Sequence, residues 1–275
     1  MSDPTAPAAS AGAHTCIYES ASTRLDLLRA TDAPQRILKQ ALEDSLQQRM
    51  RHERAVLERL AGCTGVRQLA PHEPRHGDVV ALEFVEGPTL EQLLRRGPLE
   101  PMQVLSCAGA LLHTLAAVHR CGVIHCDIHP GNIVLANGAA QPVLIDFDNA
   151  LLAGLPTAAA ANRELPAALA YIAPELTGRT GRAVDHRADL YSLGATLYAM
   201  ATGHPPFEAT DPLDLIHAHL VRDPVPPASV RADVPAALSD FILRLLAKEP
   251  DRRYQSAEGA GHDVAMLIGR LQCGL

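Results

Sequence analysis

Between residues 102 and 119 the apolar residues Val104, Ala108, Leu111, Leu115 and Val118 recur at steps of four and three, which predicts an amphipathic helix. The same spacing runs through residues 43–60 as Leu46, Met50, Glu53, Leu57 and Leu60, with one carboxylate set into the apolar stripe. Residues 188–201 are apolar nearly all round, so that helix belongs in the centre of a lobe. Two more amphipathic helices are predicted at 235–247 and 256–270. Short apolar runs read as strands at Val79–Val85, 123–124, 133–135 and 143–145, with Asn137-Gly138 as a hairpin turn between the last two. Within the ambiguous stretch 14–40, residues 16–18 and 35–39 fit short strands. Gly87-Pro88 breaks the pattern and is the candidate hinge, while Pro205-Pro206 and Pro224 to Pro227 mark loops. Residues 1–13, rich in Ala, Pro and Ser, read as a flexible N-terminal arm. No internal repeat is visible.

A length of 275 residues allows one large domain or two lobes. The apolar share of 47% and charged share of 20% exclude disorder of the whole chain. Only 3% is aromatic, with no Trp, so the core must be aliphatic. A net charge of −7 gives no support to a nucleic-acid or anionic-membrane partner. The six cysteines form no Cys-x-x-Cys pair, which argues against zinc and for a reduced, cytoplasmic setting. No basic-then-apolar leader and no run of about 18 apolar residues is present, so neither a signal peptide nor a membrane span is expected.

Three oxygen-bearing residues stand at the ends of the central strands: Asp127 and Asn132 in His-Cys-Asp-Ile-His-Pro-Gly-Asn, and Asp146 in Asp-Phe-Asp. If the two strand ends are paired, these residues share one site. An all-oxygen set of this kind suits Mg²⁺, which takes one or two carboxylates together with phosphate oxygens and water. A carboxylate left off the metal can orient an attacking hydroxyl. Two unrelated Asx-rich turns are the plainer alternative. Glu53 is costly on an apolar stripe unless a cation meets it, and Lys39 is the natural partner; otherwise Glu53 lies at the stripe's edge and reaches water.

Taken together these segments resemble a eukaryotic-type protein kinase of a bacterium. His125-Cys126-Asp127 with Asn132 resembles the HRDxxxxN loop, and Asp146-Phe147-Asp148 stands where the family has Asp-Phe-Gly. Ala173-Pro174-Glu175, then Asp189 to Gly194, Gly203 to Phe207 and Pro250 to Tyr254 follow in the family's order. Residues 168–260 are similar to kinase domains at the N-termini of large bacterial sensor proteins. The resemblance implies a bilobal α+β fold: residues 14–275 as the kinase-like domain, with a small antiparallel-sheet N-lobe carrying one helix at 14–86 and a larger, mainly helical C-lobe at 87–275. It implies an ATP- and Mg²⁺-dependent enzyme acting on Ser or Thr of a protein. Asp127 would orient the acceptor hydroxyl, and Asn132 and Asp146 would hold Mg²⁺. Lys39 would meet the α- and β-phosphates, with Glu53 holding it in place. Gly12, Ile17, Ile37, Leu82, Glu83, Val85 and Val134 would surround the nucleotide. Glu175 with Arg253 would form a structural ion pair, and Asp189 would cap the catalytic-loop backbone.

Several positions depart from the family pattern. Of three loop glycines, placed at Ser10, Gly12 and Thr15, only Gly12 remains, which weakens the phosphate cradle. Ile37 replaces a usual Ala above adenine. Cys126 replaces the Arg that receives an activation-loop phosphate, and between Asp146 and Glu175 only Thr157 and Tyr171 carry hydroxyls. Both facts point away from activation by loop phosphorylation. His129 stands for a Lys, and Asp148 for a Gly. These last two resemble small-molecule phosphotransferases, such as aminoglycoside and choline kinases. A pseudokinase that signals by shape is the other alternative. The oligomeric state is left open.

Overall fold

The computed structural model describes residues 13–19, 23–30, 33–71, 79–136, 141–152 and 169–272. Residues 1–12 of the expected arm at 1–13, with Ser10 and Gly12, the Asn137-Gly138 turn and Thr157 lie outside the described residues, while Ala13 already belongs to the first strand. The chain divides into two compact units. One contains the chain up to Glu58 together with Gln68–Phe84; the other contains Arg59–Arg67 and everything from Val85 onward.

The first unit is an antiparallel sheet in the order β1 (Ala13–Glu19), β2 (Thr23–Ala30), β3 (Ala33–Ala41), β4 (Val79–Glu83), with one helix, α1 (Asp44–Arg59). The strands at 16–18 and 35–39 are therefore longer than the apolar runs that marked them. β2 was not anticipated: its alternation is interrupted at Leu27-Leu28, and Arg24 spends its charge locally on Asp26 at 2.9 Å. β4 stops at Glu83, short of the expected Val85. Register places Leu27 opposite Ile37 and Ile37 opposite Leu82, with Leu25, Lys39 and Val80 in the next row. Side chains two apart share a sheet face, so Ile37 and Lys39 point the same way. Of the predicted stripe, Met50 and Leu57 on α1 and Leu60 just past its end are buried, as is Val56, while the side chain of Leu46 lies outside the described ones.

The second unit is mainly helical. α2 (Leu90–Leu94) opens on a capping box: the Gln92 N–H donates to Thr89 Oγ1, and Gln92 Oε1 accepts from the Thr89 N–H. α3 (Pro101–Arg120) buries Val104, Ala108, Leu111, Leu115 and Val118 completely. Among the described residues it is the one helix long and apolar enough to cross a membrane by length and composition, yet that apolar stripe faces the unit's own core. Two two-stranded elements follow: β5 (Val123–Ile124) pairs with β8 (Leu151–Leu152), and β6 (Ile133–Leu135) pairs with β7 (Gln141–Leu144). α4 (Arg187–Thr202) is buried on all sides, as its apolar composition requires. α5 (Pro212–Val221), the short α6 (Pro227–Val230), α7 (Ala236–Leu245) and α8 (Ala257–Gln272) complete the unit. α4 packs on α7, and α8 packs on α3. Gly87 sits at φ +150°, where a Cβ would lie 2.2 Å from the Leu135 carbonyl oxygen, so only glycine fits.

Candidate functional site

The stripe position of Glu53 has a resolved outcome. Lys39 Nζ lies 2.9 Å from Glu53 Oε2, with the two side chains 7% and 1% exposed. Glu53 therefore does not reach water. β3 delivers Lys39 and α1 delivers Glu53, and each charge offsets the desolvation cost of the other. In the same unit Ile37 and Leu82 are buried side by side on neighbouring strands, while Glu83 is exposed. Ile17 is exposed: the β1–β2 register shifts between Cys16 and Tyr18, leaving Ile17 as the extra residue of a bulge.

In the second unit the β6–β7 ladder brings the two oxygen-rich turns together. Ile133 lies opposite Leu144, and the Ile145 N–H donates to the Asn132 carbonyl at 3.0 Å. Asp146 therefore begins its turn directly beside Asn132. A 3₁₀ turn over Pro130–Asn132, capped by His129 Nδ1 accepting from the Gly131 N–H at 3.1 Å, raises Asn132. Asn132 Nδ2 donates to the Asp127 carbonyl at 3.0 Å, which directs its Oδ1 the other way. Val134, buried, pairs with Val143 and bridges to Thr89; Val85 is half-buried at the start of this unit.

Two non-glycine residues here have left-handed backbone, Cys126 at φ +64° and Asp146 at φ +65°. Such conformations cost about 1–2 kcal/mol each and persist only where neighbours enforce them. For Cys126 the enforcer is Asp189 on α4, completely buried. Its Oδ1 accepts from the Cys126 N–H at 2.8 Å and its Oδ2 from the His125 N–H at 2.9 Å. His119 Nε2 joins the same oxygen at 2.8 Å. Burial pushes the Asp189 carboxyl up, but the bond and charge of His119, with His125 and the Cys126 amide, outweigh it, so the acid lies below its ordinary range. His125 links the two turns. Its Nδ1 accepts from the Asp127 N–H at 3.3 Å, so Nε2 carries the proton toward the Ile145 carbonyl at 3.3 Å. The ring lies 4.5 Å from that of the buried Phe147.

The His129 imidazole is pushed below its ordinary value chiefly by burial; Asp127, Asp146 and Glu91 pull the other way and do not offset it. It is neutral at pH 7 and does not replace the charge of a lysine. Burial likewise pushes the Tyr171 phenol up to about 12.

Arg253 binds Glu175 with two nitrogens, at 2.6 and 2.8 Å, both side chains inaccessible. Two participants were missed in the sequence. His119 is 70 residues from Asp189, with no local signal. Asn149 follows the Asp-Phe-Asp run, and its Nδ2 donates to Asp127 Oδ2 at 3.1 Å. Its proximity to Asp146 was the available clue.

Asn132 and Asp146 fit a hard divalent cation: both offer oxygen, and the one nitrogen of the pair is occupied by a protein carbonyl. The protein kinase domain matches residues 31–264, and the chain belongs to that family. Among its relatives are bacterial serine/threonine-protein kinases. It is 36% identical over 65% of its length to serine/threonine-protein kinase PknB of Mycolicibacterium smegmatis. It is 33% identical over 68% to PknB of Mycobacterium tuberculosis, and 35% identical over 84% to serine/threonine-protein kinase PkaA of Streptomyces coelicolor. The matched stretches span 28%, 30% and 42% of those relatives, so the chain covers less than half of each.

Proposed function

We propose that this chain catalyses ATP- and Mg²⁺-dependent transfer of a γ-phosphoryl group to a Ser or Thr hydroxyl of a protein. The observation that carries the reading is the buried Lys39–Glu53 pair, intact at 2.9 Å. A binding module without turnover has no use for two buried charges that a hydrophobic pair would replace at no loss of stability. Lys39 holds the α- and β-phosphates and Glu53 holds Lys39. Asn132 and Asp146 hold Mg²⁺, which supplies charge neutralisation at the phosphates. Asp127 orients the acceptor hydroxyl and takes its proton. Ile37, Leu82, Val85 and Val134 surround the base, joined by backbone groups near Glu83; Gly12 and Ile17 belong to the loop above the phosphates. The free thiols among the described residues and ATP as co-substrate support a cytoplasmic setting for the reaction.

The enzyme works without activation-loop phosphorylation. Cys126, 1% exposed and with its thiol turned to the Ile124 carbonyl, offers no cation to a phosphate.

A second reading, transfer to a small alcohol or aminoglycoside, is favoured by the neutral His129 beside the catalytic turn. One experiment separates the readings: purified chain with Mg²⁺ and γ-labelled ATP, offered protein acceptors and, separately, aminoglycosides and choline. Label in Ser or Thr of protein is expected, and Asp127→Asn should cut it to a small residual rate while sparing nucleotide binding. Label only in the small alcohols supports the second reading. Nucleotide binding without transfer to either would leave a pseudokinase.

A further inference from the structure

The Asp127 carboxylate is gripped from a residue to which the kinase reading gives no role. Asn149 Nδ2 donates to Asp127 Oδ2 at 3.1 Å, with both side chains half-buried. The other holds on Asp127, Asn132 on its backbone carbonyl and His125 on its N–H, leave the carboxylate free to rotate about χ2. The Asn149 bond removes that freedom. It occupies Oδ2 and leaves Oδ1 for an incoming hydroxyl. A bond from an amide to an ionised carboxylate is charge-assisted and stronger than one between neutral groups.

Asn149 is itself delivered from a rigid base. On one side the buried Phe147 ring is packed on His125, and the Ala150 N–H donates to the Phe147 carbonyl at 3.1 Å, closing the turn. On the other side Ala150 is buried, and Leu151-Leu152 pair with Ile124-Val123. Meanwhile the His129 ring, which stands where the resemblance expects a lysine, has its Nδ1 committed to the Gly131 N–H.

We propose that Asn149 is a positioning residue for phosphoryl transfer: it locks the Asp127 carboxylate and ties its orientation to the turn that carries Asp146. This rests on the kinase reading above. A misplacement of about 1 Å at a reacting group costs on the order of a hundredfold in rate. Asn149→Ala should therefore lower kcat by about tenfold to a hundredfold. KM for ATP and the nucleotide-induced thermal shift should stay within about twofold and about a degree of wild type, because Asn149 is assigned no contact with nucleotide.

The deciding experiment is a double-mutant cycle on phosphate transfer to protein, with Asn149→Ala, Asp127→Asn and the pair. If Asn149 acts through Asp127, its loss costs little more once Asp127 is gone. Asn149→Asp keeps the shape and exchanges the donor for an acceptor, so it should be at least as slow as Asn149→Ala while folding normally. Asn149→Gln, which keeps a donor, should recover part of the rate. Undiminished kcat in Asn149→Ala or Asn149→Asp would overturn the assignment, as would equal losses in the wild-type and Asp127→Asn backgrounds. A wild-type chain that binds nucleotide and transfers nothing would overturn the kinase reading and this role with it. An active wild type with an equally active Asn149→Asp would overturn this role alone.

Discussion

Asp189 Oδ1 accepts the backbone N–H of Cys126 at 2.8 Å, and Cys126 is thereby held at φ +64° in the left-handed region. The bond explains how a buried helix sets the conformation of a loop 63 residues away in sequence. Cys126 directly precedes Asp127, so the strain is stored next to the proposed base, where a relaxed loop would turn the carboxylate elsewhere.

Replacing Asp189 by Asn tests that relationship. The amide can accept on one atom only, so one of three donors loses its partner in a site with no access to water. Urea denaturation should show a loss of about 3–5 kcal/mol, and phosphate transfer should fall with it. The sign of the acid response follows from the lowered carboxyl. Because the folded-state value is below the ordinary 3.8, the contribution is fully present above pH 3.8 and disappears as pH falls through the folded value. Acid unfolding of Asp189→Asn should therefore lack that component.

The Lys39–Glu53 pair separates stability from activity. Lys39→Met or Glu53→Gln alone removes the partner of a buried charge and should cost about 3–5 kcal/mol. The double change Lys39→Met with Glu53→Leu leaves no charge to bury and should recover most of that loss. Transfer should be strongly reduced in all three, since the Lys39 phosphate contact is either gone or left without the carboxylate that holds it. Chemical denaturation and labelled-ATP kinetics on the same preparations check both halves; full activity in Lys39→Met would mean that another cation meets the phosphates.

What could be read in the sequence was what period and short-range spacing encode. The five α3 positions chosen by steps of four and three are all inaccessible, and α4 is buried on all sides as its composition demands. Glu53 was visible as a misfit on its stripe, although only the fold shows that Lys39 meets it. α5 was overlooked despite a good start signal, Asp211 capping the Leu213 N–H before Pro212, because its outward face carries Leu213 and Val221 and blurs the stripe. His119 on Asp189 and Asn149 on Asp127 join residues 70 and 22 positions apart. Such pairs are consequences of topology, and no local rule contains them.

Arg253 is expected to matter for folding and not for chemistry. Beyond its two bonds to Glu175, its guanidinium donates to the carbonyls of Ala247, Arg187 and Lys248 at 2.7, 2.9 and 3.0 Å. Lysine cannot reproduce that planar fork. Arg253→Lys should lower stability by at least about 2 kcal/mol, leaving carbonyls and a carboxylate short of donors. At a temperature where the variant remains folded, kcat should match wild type; a large drop there would give the pair a part in transfer.

Thr157→Ala should leave the transfer rate unchanged. With Cys126 buried against a carbonyl, no arginine stands before Asp127 to read a loop phosphate. Initial rates of enzyme pretreated with phosphatase, wild type against Thr157→Ala, provide the check. A drop of tenfold or more would mean that another cation receives the phosphate.

A pH effect on stability should come from a site remote from catalysis. His219 is fully buried, its Nδ1 2.9 Å from the Tyr191 hydroxyl, with Lys248 Nζ 3.2 Å from the same oxygen. The other aromatic neighbour is Phe207, edge-on at 5.0 Å, and the Ala170 backbone offers an acceptor. Burial first, then the Lys248 charge, push the imidazole from 6.5 down to about 4, with the Ala170 contact opposing. Between those values the unfolded chain binds a proton that the folded chain refuses. Folding stability is therefore unaffected by this group above pH 6.5, falls as pH drops from 6.5 toward 4, and levels off below. The full loss is on the order of 3 kcal/mol. Lys248, lowered to about 8 chiefly by its own burial, adds a rise in stability on the alkaline side, between pH 8 and 10.5. Equilibrium urea unfolding at pH 7.5 and pH 5 should show the acid-side loss in wild type. His219→Gln, which keeps a polar group beside Tyr191 and cannot take up the proton, should flatten that step, and an undiminished step in this variant would assign it to another group.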